Sequence, residues 1–246
     1  MSETEAPGDE PRHKDRRPRD PDLWIHGSIK KHRHADALHF RPDNDFFRLA
    51  DPIVRAQRTL LGYDRLYVFW QAVRNVAAVP GAAAEIGSYR GGSAHFIAGA
   101  FLRRTGGEVP MHVFDTFEGH PQEAIGERDQ FQAAGQFSAT SYEDVRDYLS
   151  PFRLIRIHKG EVSASLARLE ESAYRLVHID TDLYQPTIDC LRYFGRRLSA
   201  GGVIVLDDYS STKCPGVPQA AFEFLEGADG FQVWDMRSGQ LMLVKR

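Results

Sequence analysis

The sequence predicts an α/β fold: a doubly wound, mostly parallel seven-stranded sheet that ends in an antiparallel hairpin and carries an N-terminal helical cap. After Pro80, short apolar runs that stop at polar residues alternate with amphipathic stretches. That order gives a parallel sheet with helices on both faces. The last two apolar runs, FQVWDMR and QLMLVKR, are separated only by Ser238 and Gly239. A two-residue turn that ends in glycine is typical of a hairpin, so the last strand should run antiparallel.

The first part of the chain divides into two segments. Residues 1–20 contain no aromatic residue and no aliphatic residue larger than alanine after Met1, and acids, bases and prolines alternate there. This is typical of a disordered tail. From residue 21 to residue 79 we predict a helical cap, because apolar residues recur at helical spacing. These residues are Leu61, Leu66, Phe69, Val73 and Val76. We interpret the stretch KHRHADALH as a solvated basic segment.

Residues 80–246 are the predicted main domain. Five apolar runs are expected to be its parallel strands, and the amphipathic stretches between them its helices. The runs are AAAEIGS (82–88), MHVFDT (111–116), FRLIRIHKG (152–160), RLVHIDT (175–181) and GGVIVLDD (201–208). A long segment, residues 119–144, follows the second strand. Segments of that length in a compact domain are typical of lids, so we expect it to cover a ligand.

The composition argues against several classes of partner. With 31 basic and 34 acidic residues the formal net charge is −3, which disfavours nucleic acid or an anionic membrane as the main partner. No apolar run approaches the roughly 18 to 20 residues that a membrane span needs. Cys190 and Cys214 have neither metal-ligand spacing nor the pattern of a disulfide framework. We therefore expect a cytoplasmic protein. An extended N-terminal cap commonly contributes to a homodimer.

The first predicted strand runs into the glycine-rich sequence EIGSYRGGS. Ligands of parallel sheets bind beyond the carboxyl ends of the strands. There Gly87 allows a tight turn and Gly91 lets the backbone approach a ligand. Ser88 lies in the same loop, and Ser93 can cap the next helix or donate a hydrogen bond. Glu85 opposes a phosphate and suits a cationic amino-acid head group. The alternative is a turn that only packs helix on strand, because glycine-rich motifs alone are weak signals.

The second predicted strand ends in VFDTFEG. In doubly wound folds an acid at this position holds the ribose hydroxyls of a nucleoside. Asp115 is the candidate for that role, and Phe117 is the candidate to flank an adenine. The alternative is an aspartate that caps a turn. No Lys–Ser or Lys–Thr pair follows the glycine loop, which argues against a P-loop.

Two pairs of acids close the fourth and fifth predicted strands: Asp180 and Asp182 in HIDTDLY, and Asp207 and Asp208 in VIVLDDY. Consecutive strands joined by a helix usually lie side by side, so both pairs should face the crevice of the glycine loop. Such carboxylates repel one another unless something positive lies between them. Oxygen donors without cysteine favour a hard cation, Mg²⁺ first, with Mn²⁺ or Ca²⁺ as alternatives. Capping of the next helix is the competing explanation. His178 is interpreted as a packed residue.

Jointly, ExGxxxGGS, the acid after the second strand, HIDxDLYxPT and GGxIxxDDY resemble the macrocin O-methyltransferase family, whose members methylate sugar hydroxyls of macrolide and aminocoumarin antibiotics. The resemblance runs from about residue 65 to about residue 224. It implies the class I methyltransferase architecture, S-adenosylmethionine as methyl donor, Mg²⁺ at the strand-end aspartates and an acceptor hydroxyl positioned by that metal. The stretch EVSASL after HKG (158–160) departs from the family pattern.

Carried onto this chain, the resemblance implies two sides of one site. The cofactor side holds Glu85, Gly87, Gly91, Ser93 and Asp115, to which we add Ser88 and Phe117. The metal and catalytic side holds Asp180, Asp182, Asp207 and Asp208. Among these we predict Asp180, Asp207 and Asp208 as metal ligands and Asp182 as the base that takes the hydroxyl proton. The spacing alone does not decide which of Asp180 and Asp182 is the ligand and which the base.

The leading hypothesis is an S-adenosylmethionine- and Mg²⁺-dependent O-methyltransferase that acts on a hydroxyl of a small molecule, such as a sugar of a natural product. One alternative is a methyltransferase of the same fold with a catechol-like acceptor. Another is a non-catalytic module that binds S-adenosylmethionine or a nucleoside. A dehydrogenase fits less well because of the terminal hairpin.

Overall fold

A computed structural model describes residues 44–169 and 173–246. The predicted tail (1–20) and the first part of the predicted cap (21–43) lie outside these residues, as does the stretch KHRHADALH. Residues Asp45–Arg246 form one compact unit. Two helices precede the sheet, α1 (Asn44–Arg55) and α2 (Tyr63–Asn75), and the apolar residues of the predicted spacing lie in or directly beside α2. A domain limit at residue 80 stays a prediction.

Seven strands form a single sheet. They are β1 (Ala82–Ile86), β2 (Met111–Asp115), β3 (Ile155–Lys159), β4 (Tyr174–Ile179), β5 (Leu198–Leu206), β6 (Phe231–Asp235) and β7 (Leu241–Lys245). Their order is β3-β2-β1-β4-β5-β7-β6. The first five pair in parallel, and β7 runs antiparallel to both β5 and β6. The predicted architecture is therefore confirmed, including the antiparallel ending.

The turn of the hairpin differs from the prediction of two residues. Met236 and Gln240 pair through a 2.9 Å hydrogen bond from the Met236 N–H, and the Gly239 N–H donates to the Met236 carbonyl at 2.9 Å. The loop is therefore three residues long, and Gly239 takes the left-handed backbone at its end with φ +87°. A three-residue loop with a left-handed last residue is the next most common hairpin connection.

Helices cover both faces of the sheet. The remaining helices are α3 (Gly92–Thr105), α4 (Tyr142–Leu149), α5 (Val162–Leu166), α6 (Tyr184–Arg197) and α7 (Gly216–Glu226). The four helices α1, α2, α3 and α4 pack on one face of the sheet through one apolar cluster. The three helices α5, α6 and α7 pack on the other face through a second cluster. Ala83 of β1 belongs to the first cluster and Ala84 to the second, as strand alternation requires.

The strand order reverses between β1 and β4, which are neighbours in the sheet but not in the sequence. In open α/β sheets ligands bind outside the carboxyl ends of the strands at such a point. The chain places its main cleft there. Among the described residues, no helix is both long and apolar enough to cross a membrane. A cytoplasmic location stays a prediction.

Candidate active site

The cleft is lined by the ends of the five parallel strands and the loops that follow them. They are residues 86–89 after β1, 114–116 after β2, 160–162 after β3, 180–183 after β4 and 207–208 after β5. The segment after β2 adds a further wall, and residues 59–61 with Arg65 add another. All four predicted acids therefore line one cleft with the glycine loop, as their positions at the ends of parallel strands predicted.

The glycine loop lies flush against the end of β4. Gly87 has φ +85°, and a Cβ atom there would lie 1.9 Å from the carbonyl oxygen of Asp180. Only glycine fits a position that is both left-handed and this crowded. Gly91 also has a left-handed backbone, with φ +76°, and is the N-cap of α3. Ser88 and Ser93 are buried residues of the cleft lining. The loop therefore presents backbone and two hydroxyl groups to the cleft.

Glu85 lies behind this loop. It is fully buried, and its Oε1 lies 2.9 Å from Nδ1 of His178 on the neighbouring strand. It is not among the cleft-lining residues. Glu85 shares its side of β1 with Ala83, whose cluster includes α2 and α3. A direct contact with a cationic head group stays a prediction, and one that this packing does not favour.

Asp115 ties two loops together. Its Oδ2 accepts hydrogen bonds from the backbone N–H groups of Ser88 and Tyr89, both at 2.8 Å, and its Oδ1 accepts from the Phe117 N–H at 2.7 Å. Burial raises the pKa of the Asp115 carboxyl, and the three N–H donors oppose that rise. The carboxylate still lines the cleft. Asp115 therefore caps the turn, as the alternative interpretation expected, and it also borders the space where a ligand would lie.

Phe117 is a core residue in this structure. It is 5% exposed, belongs to the first apolar cluster and packs on Tyr142 with ring centroids 5.7 Å apart. It is not among the residues that line the cleft. A contact between its ring and an adenine stays a prediction, and its present packing points the ring away from that role.

A positive group does lie between the acids. The guanidinium of Arg65, on α2, donates to Asp207 and, at 3.2 Å, to Asp208 Oδ1. The Arg65 side chain is 26% exposed, whereas that of Asp207 is 0% exposed. Burial lowers the Arg65 pKa, but Asp207 and Asp208 outweigh it and raise the pKa above its ordinary value. Sequence reasoning missed this partner because the pair is 142 positions apart in the chain.

The acids separate into two groups. Asp180 and Asp207 lie with His178, and Asp182 and Asp208 lie with Cys214; within each group the potential ligand atoms are all within 4.8 Å of one another. The Cys214 thiol donates to Asp182 Oδ1 at 3.2 Å. The predicted ligand set of Asp180, Asp207 and Asp208 is therefore divided between two neighbouring groups.

Burial and mutual repulsion perturb the acids. Burial first, then Asp207, Asp182 and Asp208, raises the pKa of Asp180 well above its ordinary value, and Arg65 opposes this. Burial also raises the pKa of Asp207, against the pull of Arg65 and His178. Burial, with Asp208 next, raises the pKa of Asp182 to about 7. The single positive charge of Arg65 therefore does not balance the four carboxylates.

The residues present fit a divalent cation. The donors are carboxylate oxygens with one imidazole nitrogen nearby, a set that binds hard or borderline dications. Asp207 Oδ1 is buried and has no hydrogen-bond partner among the described residues, so a ligand atom is free on the most enclosed acid.

The segment after β2 brings a histidine over the acids. His120 Nε2 lies 3.7 Å from Asp182 Oδ2, and the two side chains are 12% and 13% exposed. Burial lowers the His120 pKa, against the opposing effects of Gln132 and Asp129. The buried Asp129 anchors the segment: its Oδ1 accepts from the Tyr184 N–H at the start of α6, at 2.8 Å. The position in a lid was the only sequence signal for His120.

The backbone of the cleft is strained. Six non-glycine residues among those described have positive φ, and five lie in loops around the cleft: Tyr89, Phe117, Phe137, Asp182 and Asp208. For such residues this conformation is uncommon and costs about 1 kcal/mol or more each. Strain of this kind concentrates at functional sites, where the surrounding structure holds the residue in place.

Comparison with known proteins agrees with this geometry. The family model described as macrocin O-methyltransferase (TylF) matches residues 7–227, a longer span than the motifs from 65 to 224. The chain is 30% identical over 185 residues to 8-demethyl-8-(2,3-dimethoxy-alpha-L-rhamnosyl)-tetracenomycin-C 4'-O-methyltransferase of Streptomyces olivaceus, which covers 70% of each chain. It is 28% identical over 177 residues to demethyldecarbamoylnovobiocin O-methyltransferase of Streptomyces niveus, covering 68% of this chain and 67% of that protein.

A solved structure supports the same assignment. The O-methyltransferase NovP superposes with a TM-score of 0.68 and 26% identity, covering 76% of this chain and 82% of NovP. The residues of the family motifs, which are the glycine loop and the strand-end acids, lie at the ends of neighbouring strands of the sheet and line one cleft. The chain belongs to the macrocin O-methyltransferase family and is an S-adenosylmethionine-dependent O-methyltransferase of natural-product biosynthesis.

Proposed function

We propose that this enzyme transfers the methyl group of S-adenosylmethionine to a sugar hydroxyl of a natural product in a reaction that depends on Mg²⁺. The observation that carries the proposal is the meeting of four strand-end aspartates with the glycine loop in one cleft. The relatives' names support the acceptor class, since one acts on a rhamnosyl tetracenomycin and another on a novobiocin precursor.

The cofactor side of the cleft is the glycine loop. Backbone groups of Gly87 and Gly91, with Ser88 and Ser93, would hold the amino-acid part of S-adenosylmethionine, and Asp115 would accept from the ribose hydroxyls. Glu85 and Phe117 are buried and would act through the loops they support. The acids opposite also favour a positively charged sulfonium, because Arg65 offsets only part of their charge.

The metal side is the group of strand-end acids. Asp180, Asp207 and Asp208 would hold Mg²⁺, which when bound supplies a template for the acceptor and Lewis acidity that lowers the proton affinity of its hydroxyl. Arg65 keeps Asp207 and Asp208 oriented by donating to both.

Asp182 would be the general base. In the metal-free protein burial and Asp208 raise its pKa to about 7, so its carboxylate holds a proton more readily than that of an ordinary aspartate. The Cys214 thiol fixes its Oδ1, which leaves Oδ2 facing His120. The acceptor hydroxyl gives its proton to Asp182 as its oxygen bonds to the methyl carbon. The carbon–sulfur bond breaks in line, and S-adenosylhomocysteine leaves. His120, whose ring lies beside Asp182 Oδ2, would also contact the acceptor.

A methylation assay tests the proposal. The enzyme is incubated with S-adenosylmethionine and a panel of glycosylated natural products, with a catechol for comparison, in Mg²⁺ or in EDTA, and mass spectrometry detects methylated products. We expect methylated sugars with Mg²⁺ and none with EDTA. Full activity in EDTA would exclude the metal role, and methylation of the catechol alone would exclude the sugar acceptor.

Variants separate the roles of the acids. Asp207→Asn is expected to abolish methylation while binding of S-adenosylhomocysteine, measured by calorimetry, stays within about twofold, because the proposed cofactor contacts come from the glycine loop and Asp115 and not from Asp207. The matched control is Asp147→Asn on α4, whose side chain is 69% exposed, and it should keep full activity. Loss of S-adenosylhomocysteine binding in Asp207→Asn would contradict this division of the cleft.

A further inference from the structure

The segment after β2 contains a buried charge. Asp129, the last residue of the short 3₁₀ helix Glu127–Asp129, is 1% exposed although it lies in a connecting segment. Its Oδ2 accepts from the Gly126 N–H at 3.0 Å, and its Oδ1 accepts from the Tyr184 N–H at 2.8 Å. Aspartate is almost never fully buried unless it is paired. Both oxygens are bound to backbone donors, one within the segment and one at the start of α6.

Asp129 caps a helix that has no cap of its own. The N-cap residue of α6 is Leu183, whose side chain makes no capping hydrogen bond. The first N–H groups of a helix have no partner within the helix, and a carboxylate beside them also interacts favourably with the helix dipole. Asp129 Oδ1 also lies at the start of α7, where a Cβ atom on Gly216 would be 2.4 Å from it. The segment therefore holds the chain two residues after Asp182, where the loop after β4 enters α6.

Gln132 connects the same segment to the side chain of Asp182. Its Nε2 donates to the Lys213 carbonyl at 2.9 Å and to the Cys214 sulfur at 3.4 Å. A carbonyl only accepts, which fixes the orientation of the amide. Cys214 is 4% exposed, and its thiol donates to Asp182 Oδ1 at 3.2 Å. Because the amide N–H points at the sulfur, the S–H bond is left to point at the carboxylate.

The other oxygen of Asp182 also meets the segment after β2, since His120 Nε2 lies 3.7 Å from Asp182 Oδ2. The backbone of Asp182 has φ +58°, a conformation that persists only where the surroundings hold the residue in place. Asp129 and Gln132 are not among the residues that line the cleft. They therefore act on the surroundings of Asp182 and do not contact a ligand themselves.

We propose that Asp129 and Gln132 are positioning residues for the base, Asp129 through the start of α6 and Gln132 through the Cys214 thiol. The proposal rests on Asp182 being the base of the proposed function. With both contacts in place, Asp182 Oδ2 faces the acceptor hydroxyl whose proton it takes. The base is then in position only while the segment after β2 lies over the cleft. An error of about 1 Å in the position of a catalytic group can cost about 10²-fold in rate.

Steady-state kinetics tests the contact through the thiol, with the acceptor that the methylation assay identifies. Gln132→Leu and Cys214→Ala should each lower kcat about 10- to 100-fold and leave the KM of S-adenosylmethionine within about twofold. Cys214→Ser should recover most of the rate, because a hydroxyl can accept from Gln132 and donate to Asp182. Gln130→Leu, at an exposed glutamine of the same segment, is the matched control and should keep the wild-type kcat.

Two results of this comparison would overturn the inference. The first is a wild-type kcat in folded Gln132→Leu, with folding established by circular dichroism and S-adenosylhomocysteine binding. The second is an increase confined to the acceptor KM, which would show that the segment covers the ligand without positioning the base.

Crystal structures of the variants give a readout that needs no acceptor. Asp129→Asn keeps the shape of the side chain, but its one remaining oxygen can satisfy only one of the two N–H groups. We expect the Asp182 carboxylate to move by about 1 Å or more in Asp129→Asn and kcat to fall about 10-fold. Glu127→Gln, at an exposed acid of the same 3₁₀ helix, is the matched control and should change neither. An unmoved Asp182 in Asp129→Asn would overturn the inference alone, whereas full activity of Asp182→Asn would overturn the assignment of the base.

Discussion

Replacement of Asp182 by asparagine is expected to stabilise the metal-free protein at pH 8 and to abolish methyl transfer. Asp182 lies in a cleft with three other carboxylates, and its side chain is 13% exposed. Asparagine has nearly the same shape and can still accept from the Cys214 thiol, but it carries no charge. The substitution therefore removes an unfavourable charge from the folded state and the proposed base from the reaction.

The magnitude follows from the pKa of Asp182. Burial and Asp208 raise it to about 7 from the ordinary 3.8. The folded state therefore binds the proton more tightly than the unfolded state. Below pH 3.8 both states are protonated and the charge costs nothing; the penalty grows between pH 3.8 and 7 and is complete above pH 7. About three pKa units correspond to about 4 kcal/mol. Because Asp182 shares its repulsion with Asp208, asparagine should recover about 2 to 4 kcal/mol at pH 8.

Urea unfolding in EDTA at pH 4 and pH 8 measures this difference, since the chelator prevents a cation from offsetting the repulsion. Asp182→Asn should exceed the wild type by about 2 to 4 kcal/mol at pH 8 and by less than about 1 kcal/mol at pH 4. Asp147→Asn should show no such dependence. The reasoning is refuted if the stability difference is the same at both pH values. In the methylation assay kcat should fall by about 10²- to 10⁴-fold, with S-adenosylhomocysteine binding retained.

Three further substitutions probe the surroundings of the acids. Gly87→Ala should cost about 2 to 4 kcal/mol of unfolding free energy, because its Cβ would lie 1.9 Å from the Asp180 carbonyl oxygen, whereas Gly107→Ala, with nothing within 4 Å, should stay within about 0.5 kcal/mol; equal losses in urea unfolding would contradict this. Arg65→Gln should destabilise the metal-free protein by about 2 to 3 kcal/mol at pH 8 and by less at lower pH, because burial raises the pKa of Asp207 and protonation removes the charge that Arg65 binds; unchanged stability at pH 8 would show that the ion pairs are not needed. His120→Gln should raise the acceptor KM about 10-fold and leave the S-adenosylmethionine KM unchanged, and a change confined to the latter would place His120 on the cofactor side.

The sheet and the meeting of the acids were predictable because they follow from chain direction alone. Apolar runs that end in polar residues mark buried parallel strands, and strands joined by helices lie side by side with their carboxyl ends at one edge. Asp115 is the last residue of β2, and Asp180 and Asp207 directly follow β4 and β5, so their common location needs no knowledge of side chains. The turn of the hairpin was less predictable, since Met236 and Gln240 extend the pairing only once both strands are in place.

The direction of side chains at strand ends was not predictable. A strand that is buried on both faces has no alternation of apolar and polar residues, so nothing in AAAEI shows that Glu85 points toward α2 and not into the cleft. Phe117 is similar, because its left-handed backbone, φ +57°, reverses the direction expected from the strand before it. Arg65 reaches Asp207 from 142 positions away in the chain, and Cys214 reaches Asp182 from 32 positions away, so only tertiary packing forms these two contacts.

The repulsion expected from the sequence is only partly relieved by the protein. Arg65 supplies one positive charge to four carboxylates, and it binds Asp207 and Asp208 while Asp180 and Asp182 receive none directly. Asp182 and Asp208 are held besides in left-handed backbone conformations, which asparagine or glycine would tolerate better. The electrostatic cost falls on residues that face the cleft and is offset when positive ligands bind. Such a site binds a cation or a sulfonium more tightly than it binds a neutral ligand. The positive ligand removes repulsion among the carboxylates that is already present in the folded state.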